Sequence, residues 1–175
     1  MHFFLEALIK RKKGGSIDAS VKLLDQCLSM HINSTREHAI GFEFYTKLNA
    51  DFLMELAKEY LEHSNNKAIS KGEQVPRHLT KAVKLLENVL RQYPVISEAQ
   101  IILAKAKWLM NDMQSSLKTL HECVQNDPEK VEAHVLTAVI NIDSGNLLAA
   151  KGALQQALSL DFKIRENPVF NVIKA

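Results

Sequence analysis

Three two-residue marks, Tyr93-Pro94, Asp127-Pro128 and Asp161-Phe162, follow one another at a spacing of 34 residues. A repeat of that length commits a chain to units that are each one helical hairpin and that bury their apolar faces only by stacking on neighbours. Upstream of each mark, a stretch offers small, large and small side chains in turn: Ala82, Leu86, Val89; Ser116, Leu120, Cys123; Ala150, Leu154, Ala157. Spacings of four and three put these side chains on one stripe of a helix, and the small members let a neighbouring helix approach closely. Six Gly and four Pro in 175 residues are too few to supply the frequent turns of an all-β chain. The chain is therefore expected to be all-α.

Each of these helices is preceded by another, read from Leu53, Leu56, Ala57 and Tyr60, from Leu103 and Ala104, and from Ala133, Leu136 and Ala138. Asn111-Asp112 and Gly145-Asn146 supply the turns between them. The pattern resembles the tetratricopeptide repeat, which asks for a large residue, Leu beside a small residue, an aromatic, then Ala, a bulky apolar residue and Pro. Leu53, Gln100 and His134 occupy the leading large slot, and Tyr60, Lys107 and Asn141 the aromatic one. The resemblance implies a solenoid of tetratricopeptide hairpins wound as a right-handed superhelix.

In the same register the N-terminus reads as a further unit, with Phe4 in the large slot, Gly15 at the turn and Ser20, Leu24 and Cys27 on the second helix. Hairpins are then expected over residues 1–32, 50–96, 97–130 and 131–164, with a truncated helix over 165–175 opened by Asn167-Pro168. Two stretches exceed the period. Residues 33–49 form an insert whose aromatic tail, Phe42-Glu43-Phe44-Tyr45, is expected to pack back on the repeats. A second insert near residues 64–78 is polar and reads as an extended, mobile loop. Val169, Phe170, Val172 and Ile173 make a poor polar cap, so the chain is expected to be a piece of a longer array.

A formal charge of +2, from 22 basic and 20 acidic residues, is too small for a nucleic-acid protein. The stretch Val135 to Ile142 is interrupted by Thr137 and Asn141 and falls far short of a bilayer span. The apolar start precedes the basic run Lys10 to Lys13, the reverse of a secretion signal. That run falls in the last turn of a helix, where cations complement the dipole. His121 and Cys123 point to different sides of one helix, and Cys27 and Cys123 belong to separate units, so neither a zinc site nor a disulfide is expected. Lys12-Lys13-Gly14-Gly15-Ser16 has the wrong order for a phosphate loop. Acid pairs such as Glu55 with Glu59 and Glu129 with Glu132 belong on solvated faces. No cofactor, metal, membrane insertion, nucleic acid or small-molecule substrate is expected, and the two cysteines suit a reduced setting.

Two stretches exceed generic repeat grammar. Lys47-Leu48-Asn49-Ala50-Asp51-Phe52-Leu53 opens one repeat within residues 41–61, and Asp161-Phe162-Lys163-Ile164-Arg165-Glu166 closes another within residues 158–175. Both resemble the large, all-tetratricopeptide subunit of intraflagellar transport complex A. That resemblance implies a non-catalytic subunit of the train that carries cargo back along ciliary microtubules, in cytoplasm and cilium, with other subunits of the complex as partners. Two rival readings are a co-chaperone module that grips an acidic C-terminal tail and a repeat regulator attached to an enzyme elsewhere in a longer chain.

In tetratricopeptide arrays one face of each first helix lines a concave groove. In this register that face carries Met54, Lys58 and Leu61, then Ile101, Lys105 and Trp108, then Val135, Val139 and Ile142. Asp51, Glu98 and Glu132 stand at its near edge. Such a lining suits an apolar protein segment better than an acidic tail, with Trp108 as its anchor.

Overall fold

The computed structural model describes residues 2–36 and 48–166. The aromatic tail at residues 42–45 and the helix expected from Asn167 lie outside the described residues. Eight α-helices are described: α1 (His2–Lys12), α2 (Ile17–Arg36), α3 (Ala50–Leu61), α4 (Arg77–Gln92), α5 (Ser97–Leu109), α6 (Met113–Asn126), α7 (Val131–Asp143) and α8 (Leu147–Leu160). A 3-10 turn, Phe162–Glu166, follows, and no strand occurs among the described residues. The helices pack as consecutive hairpins, α1 with α2, α3 with α4, α5 with α6 and α7 with α8, and each later hairpin docks on the one before. α2 runs on to Arg36, past Ile32 where the first hairpin was expected to end.

The tight hairpin turns repeat bond for bond. Asn111 and Gly145 take left-handed backbones, φ 63° and 77°, as does Gly14 at 71°. After each such residue the next amide reaches back five positions: Gly15 to the Lys10 carbonyl (2.9 Å), Asp112 to Lys107 (2.9 Å) and Asn146 to Asn141 (2.8 Å). These bonds satisfy carbonyls that a helix C-terminus otherwise leaves without a donor. Asp112 and Asn146 then turn from closing one helix to opening the next, each side chain accepting the amide three residues on, Ser115 at 3.1 Å and Ala149 at 3.2 Å. One residue thus serves both ends of a turn too short to hold separate caps.

The small-large-small stripe is the core. Ala82, Leu86, Val89, Ser116, Leu120, Cys123, Ala150, Leu154 and Ala157 are all buried, as are Ser20, Leu24 and Cys27. Close approach at the small slot is visible at Ser116, whose hydroxyl donates to the Ala104 carbonyl of the facing helix at 2.6 Å. The polar residues in the leading large slot are explained the same way. Gln100 Nε2 donates to the Pro94 carbonyl at 3.1 Å, and His134 Nε2 lies 3.0 Å from the Pro128 carbonyl. Both partners sit one repeat apart, so a polar side chain there ties a helix to the junction before it.

Hairpins one and two are joined by polar contacts as well as packing. Arg11 grips the buried Glu59 carboxylate with two nitrogens, at 2.5 and 3.1 Å. Tyr60 donates its hydroxyl to Asp25 at 2.7 Å, and Lys81 pairs with the other Asp25 oxygen. Arg11, in the basic run assigned to the helix dipole, therefore also makes a specific cross-hairpin pair. The Glu59 of the acid pair expected on a solvated face is buried against it.

Residues 62–76 connect α3 and α4. The expected free excursion is instead anchored: the Ile69 amide donates to the Leu109 carbonyl at the end of α5 (3.0 Å), and Ala68 and Val75 pack against the core. Ala68, Val75 and the Leu109 carbonyl on α5 give this polar segment a place to dock.

Candidate functional site

The first helices α5 and α7 lie side by side, and a cavity of about 810 Å³ opens along them. Ile101, Lys105 and Trp108 come from α5, and Val131, Val135, Leu136 and Val139 from α7. Glu129, Lys130 and Glu132 line the start of α7, Asp161 and Ile164 the 3-10 turn, and Asn66 the α3–α4 connection. The sequence of α7, Val131-Glu132-Ala133-His134-Val135-Leu136-Thr137-Ala138-Val139-Ile140, explains the apolar wall. Ala133, Ala138 and Ile140 are fully buried, yet Val135, Leu136 and Val139 on other sides of the helix are apolar too and only half-buried. A helix apolar on nearly all sides carries more apolar surface than one packed face absorbs.

Of the nine residues placed on a concave face by sequence, Ile101, Lys105, Trp108, Val135 and Val139 line this one cavity. The other four do not. Met54 and Leu61 are buried, each 4% exposed, within the main core, so α3 offers no apolar lining of the kind expected. Lys58 is held at 2.6 Å by both Glu55 and Glu98, bonds that raise its pKa. Ile142 is half-buried outside the cavity. Trp108 is 6% exposed, and its indole N–H donates to the Asp143 carboxylate at 2.8 Å. It is a wall of the groove rather than a protruding anchor.

Asn66, Glu129, Lys130, Val131, Leu136, Asp161 and Ile164 were not singled out for the groove by sequence. Val131 and Leu136 adjoin residues that were and follow from helix geometry once α7 is placed, Glu129 and Lys130 lead into that helix, and Asp161 and Ile164 come from the turn after α8. Asn66 had no such signal, because it enters from an insert that the repeat grammar does not describe.

A second cavity, about 480 Å³, lies between the second helices α2 and α4, lined among others by Leu28, Ile32, Leu85 and Val89. A third lies beneath the α3–α4 connection, where the His63 and His78 rings meet edge to face at 6.4 Å. His78 Nε2 lies 2.8 Å from the Ser64 hydroxyl, whereas His63 Nε2 is buried with no hydrogen-bond partner. Burial is the largest cause lowering the pKa of both, and for His78 the neighbouring His63 adds to it. Among the described residues no group of three or more His, Cys, Asp or Glu side chains could hold a metal ion. Cys27 and Cys123 are separate, buried thiols, and burial raises the pKa of Cys123. No helix among the described residues is long and apolar enough to cross a membrane.

Hairpins with a 34-residue period, tight left-handed turns and a lined groove between first helices define a tetratricopeptide-type α-solenoid, a repeat scaffold for protein interaction. Two crystal structures of MamA share the fold, with TM-scores of 0.61 and 0.60 over 95% and 98% of this chain and 81% and 78% of theirs, at 17% identity. The family model described as "Tetratricopeptide repeat protein 21 second ARM domain" matches residues 1–145, and the chain belongs to that family. Over 172 residues it is 29% identical to human tetratricopeptide repeat protein 21B and 30% identical to mouse tetratricopeptide repeat protein 21A. A Caenorhabditis elegans homologue is 19% identical over 175 residues. The matches cover at least 98% of this chain but 13% of each relative, so the chain corresponds to a small part of their length. The complex A subunit that residues 41–61 and 158–175 resemble is of this same family.

Proposed function

We propose that this chain is a non-catalytic interaction segment of a scaffold in intraflagellar transport complex A, working in cytoplasm and cilium during retrograde transport. Its partners on this reading are other protein subunits, held in the α5–α7 groove. The observation that carries the reading is the half-buried row Ile101, Val135, Leu136 and Val139 on adjacent first helices. Membership of the tetratricopeptide repeat protein 21 family supports the assignment to a transport complex.

The groove chemistry argues against the co-chaperone reading. A clamp for an acidic tail needs a surplus of cations, and here Lys105 and Lys130 stand beside Glu129, Glu132 and Asp161. The test is capture from ciliated-cell extract, comparing this chain with its Val135→Glu/Val139→Glu variant at equal helical content. The expected result is complex A subunits on the parent and their loss on the variant. Heat-shock chaperones in their place, or undiminished capture by the variant, would overturn the proposal.

A further inference from the structure

The groove has a charge pattern as well as an apolar floor. Three acids line it, Glu129, Glu132 and Asp161, against two cations, Lys105 and Lys130. Lys130 reaches Glu132 at 3.8 Å, so that pair is already answered. Glu98, at the neighbouring lip, is taken by Lys58, and Asp143 by the Trp108 indole. The Asp161 carboxylate accepts the backbone amide of Lys163, and Arg165 is stacked over Phe162, 4.1 Å from the ring centroid. Glu129 and Asp161 are thus the lining carboxylates that no side-chain cation answers among the described residues.

The α3–α4 connection adds a boundary. It places Asn66 in the lining, and its Ile69 amide holds it to the end of α5. With Met54 and Leu61 buried, the apolar floor spans α5 and α7 and does not continue onto α3. A short segment fits such a groove better than a long strand running along the whole array.

We propose, resting on the groove reading above, that the occupant is a short amphipathic and basic protein segment. Its apolar row lies against Ile101, Val135 and Val139, and its Lys or Arg side chains reach Glu129 and Asp161. An anionic partner such as nucleic acid or an acidic lipid surface meets repulsion at both carboxylates and finds only Lys105 free to receive it.

The chain has a single tryptophan, and as a wall of the groove it reports occupancy by fluorescence. Three synthetic helical peptides serve as probes: one with a Leu stripe flanked by Lys, one with the same stripe flanked by Glu, and one with the first peptide's composition scrambled to break the stripe. The Lys-flanked peptide is expected to bind saturably, about tenfold more tightly than the Glu-flanked one at low salt, and to lose most of that margin in high salt. Glu129→Lys/Asp161→Lys should reverse the preference without loss of helical signal. Equal binding of the Lys- and Glu-flanked peptides, or a preference unchanged in the charge-reversed variant, would overturn the basic partner. Tight binding by the scrambled peptide would overturn the amphipathic one. Val139→Asn, which removes apolar wall without adding a charge, separates the two levels. If it abolishes binding of both peptides while they bind the parent equally, the groove stands and its basic preference falls. If it leaves the Lys-flanked peptide bound, the groove reading itself falls.

Discussion

Ser20 and Ser116 occupy the same small slot of two repeats, are both fully buried, and should nevertheless respond in opposite senses to replacement by Ala. Ser116 donates to the Ala104 carbonyl at 2.6 Å, whereas the Ser20 hydroxyl has no hydrogen-bond partner. Loss of the Ser116 bond costs about 1 kcal/mol, and the better helix propensity of Ala returns about 0.5 kcal/mol, leaving a small net destabilisation. At Ser20 the hydroxyl was desolvated for nothing, so its removal recovers about 1 kcal/mol or more, and propensity adds to the gain. The two variants should differ by about 2 kcal/mol. In a domain of this size that separates their melting temperatures by about 4–8 °C, Ser20→Ala above the parent and Ser116→Ala below. Urea titrations followed by circular dichroism measure the same difference and show whether the slopes stay equal. If both variants moved together, hydrogen bonding at the small slot would not be what distinguishes these repeats.

Two further outcomes follow from polar groups in and beside the second hairpin. Arg11→Met leaves the Glu59 carboxylate, 5% exposed, without its two-nitrogen partner and should cost about 2 kcal/mol in denaturant unfolding, with Arg11→Met/Glu59→Met recovering much of the loss. A double-variant no more stable than Arg11→Met would show that the pair is not the source of the effect. The second concerns His63 and His78, whose folded pKa values lie below the usual histidine value, mainly through burial. The folded chain therefore favours their neutral forms. The stability they contribute is present above the unfolded pKa of about 6.5 and is lost as the pH falls below it, because the unfolded chain binds protons first. Around His63, Glu59 and Glu62 oppose the shift and Arg11 reinforces it. Unfolding midpoints should fall between pH 7.5 and 5.5, and His63→Gln/His78→Gln should flatten that decline; an unchanged slope would assign it to other groups.

What the sequence made legible is what periodicity controls. A small-large-small stripe must be buried wherever it recurs, and Ala82, Ser116 and Ala150 are buried alike. The turns were legible because Gly and Asn tolerate the left-handed backbone that Gly14, Asn111 and Gly145 adopt. Side chains whose setting depends on a neighbour outside the period were not. Met54, Ile101 and Val135 hold equivalent slots, yet Met54 is buried within the main core while the other two line the groove. The docking of residues 62–76 was hidden for a related reason. An amide finding the Leu109 carbonyl is a long-range event, and a polar composition predicts only that a loop will not form its own core. Gln100 and His134 were readable in principle, since each follows a proline by six residues and bonds that proline's carbonyl.

Trp108 shows why binding and stability must be probed at different residues of one groove. Its ring lines the cavity, but its N–H bond to Asp143 crosses from α5 to α7, and those two helices are the two walls. Truncation at Trp108 would therefore remove a contact surface, strand a carboxylate and loosen the joint in one step, and no loss of capture could be assigned among them. Val135 and Val139 are half-buried and have no polar bond to lose. Glu129 is exposed and engages no cation among the described residues, so its charge can be reversed without breaking an ion pair there. Those positions change what the groove presents while leaving the bond between its walls intact, and a binding defect there speaks about the partner.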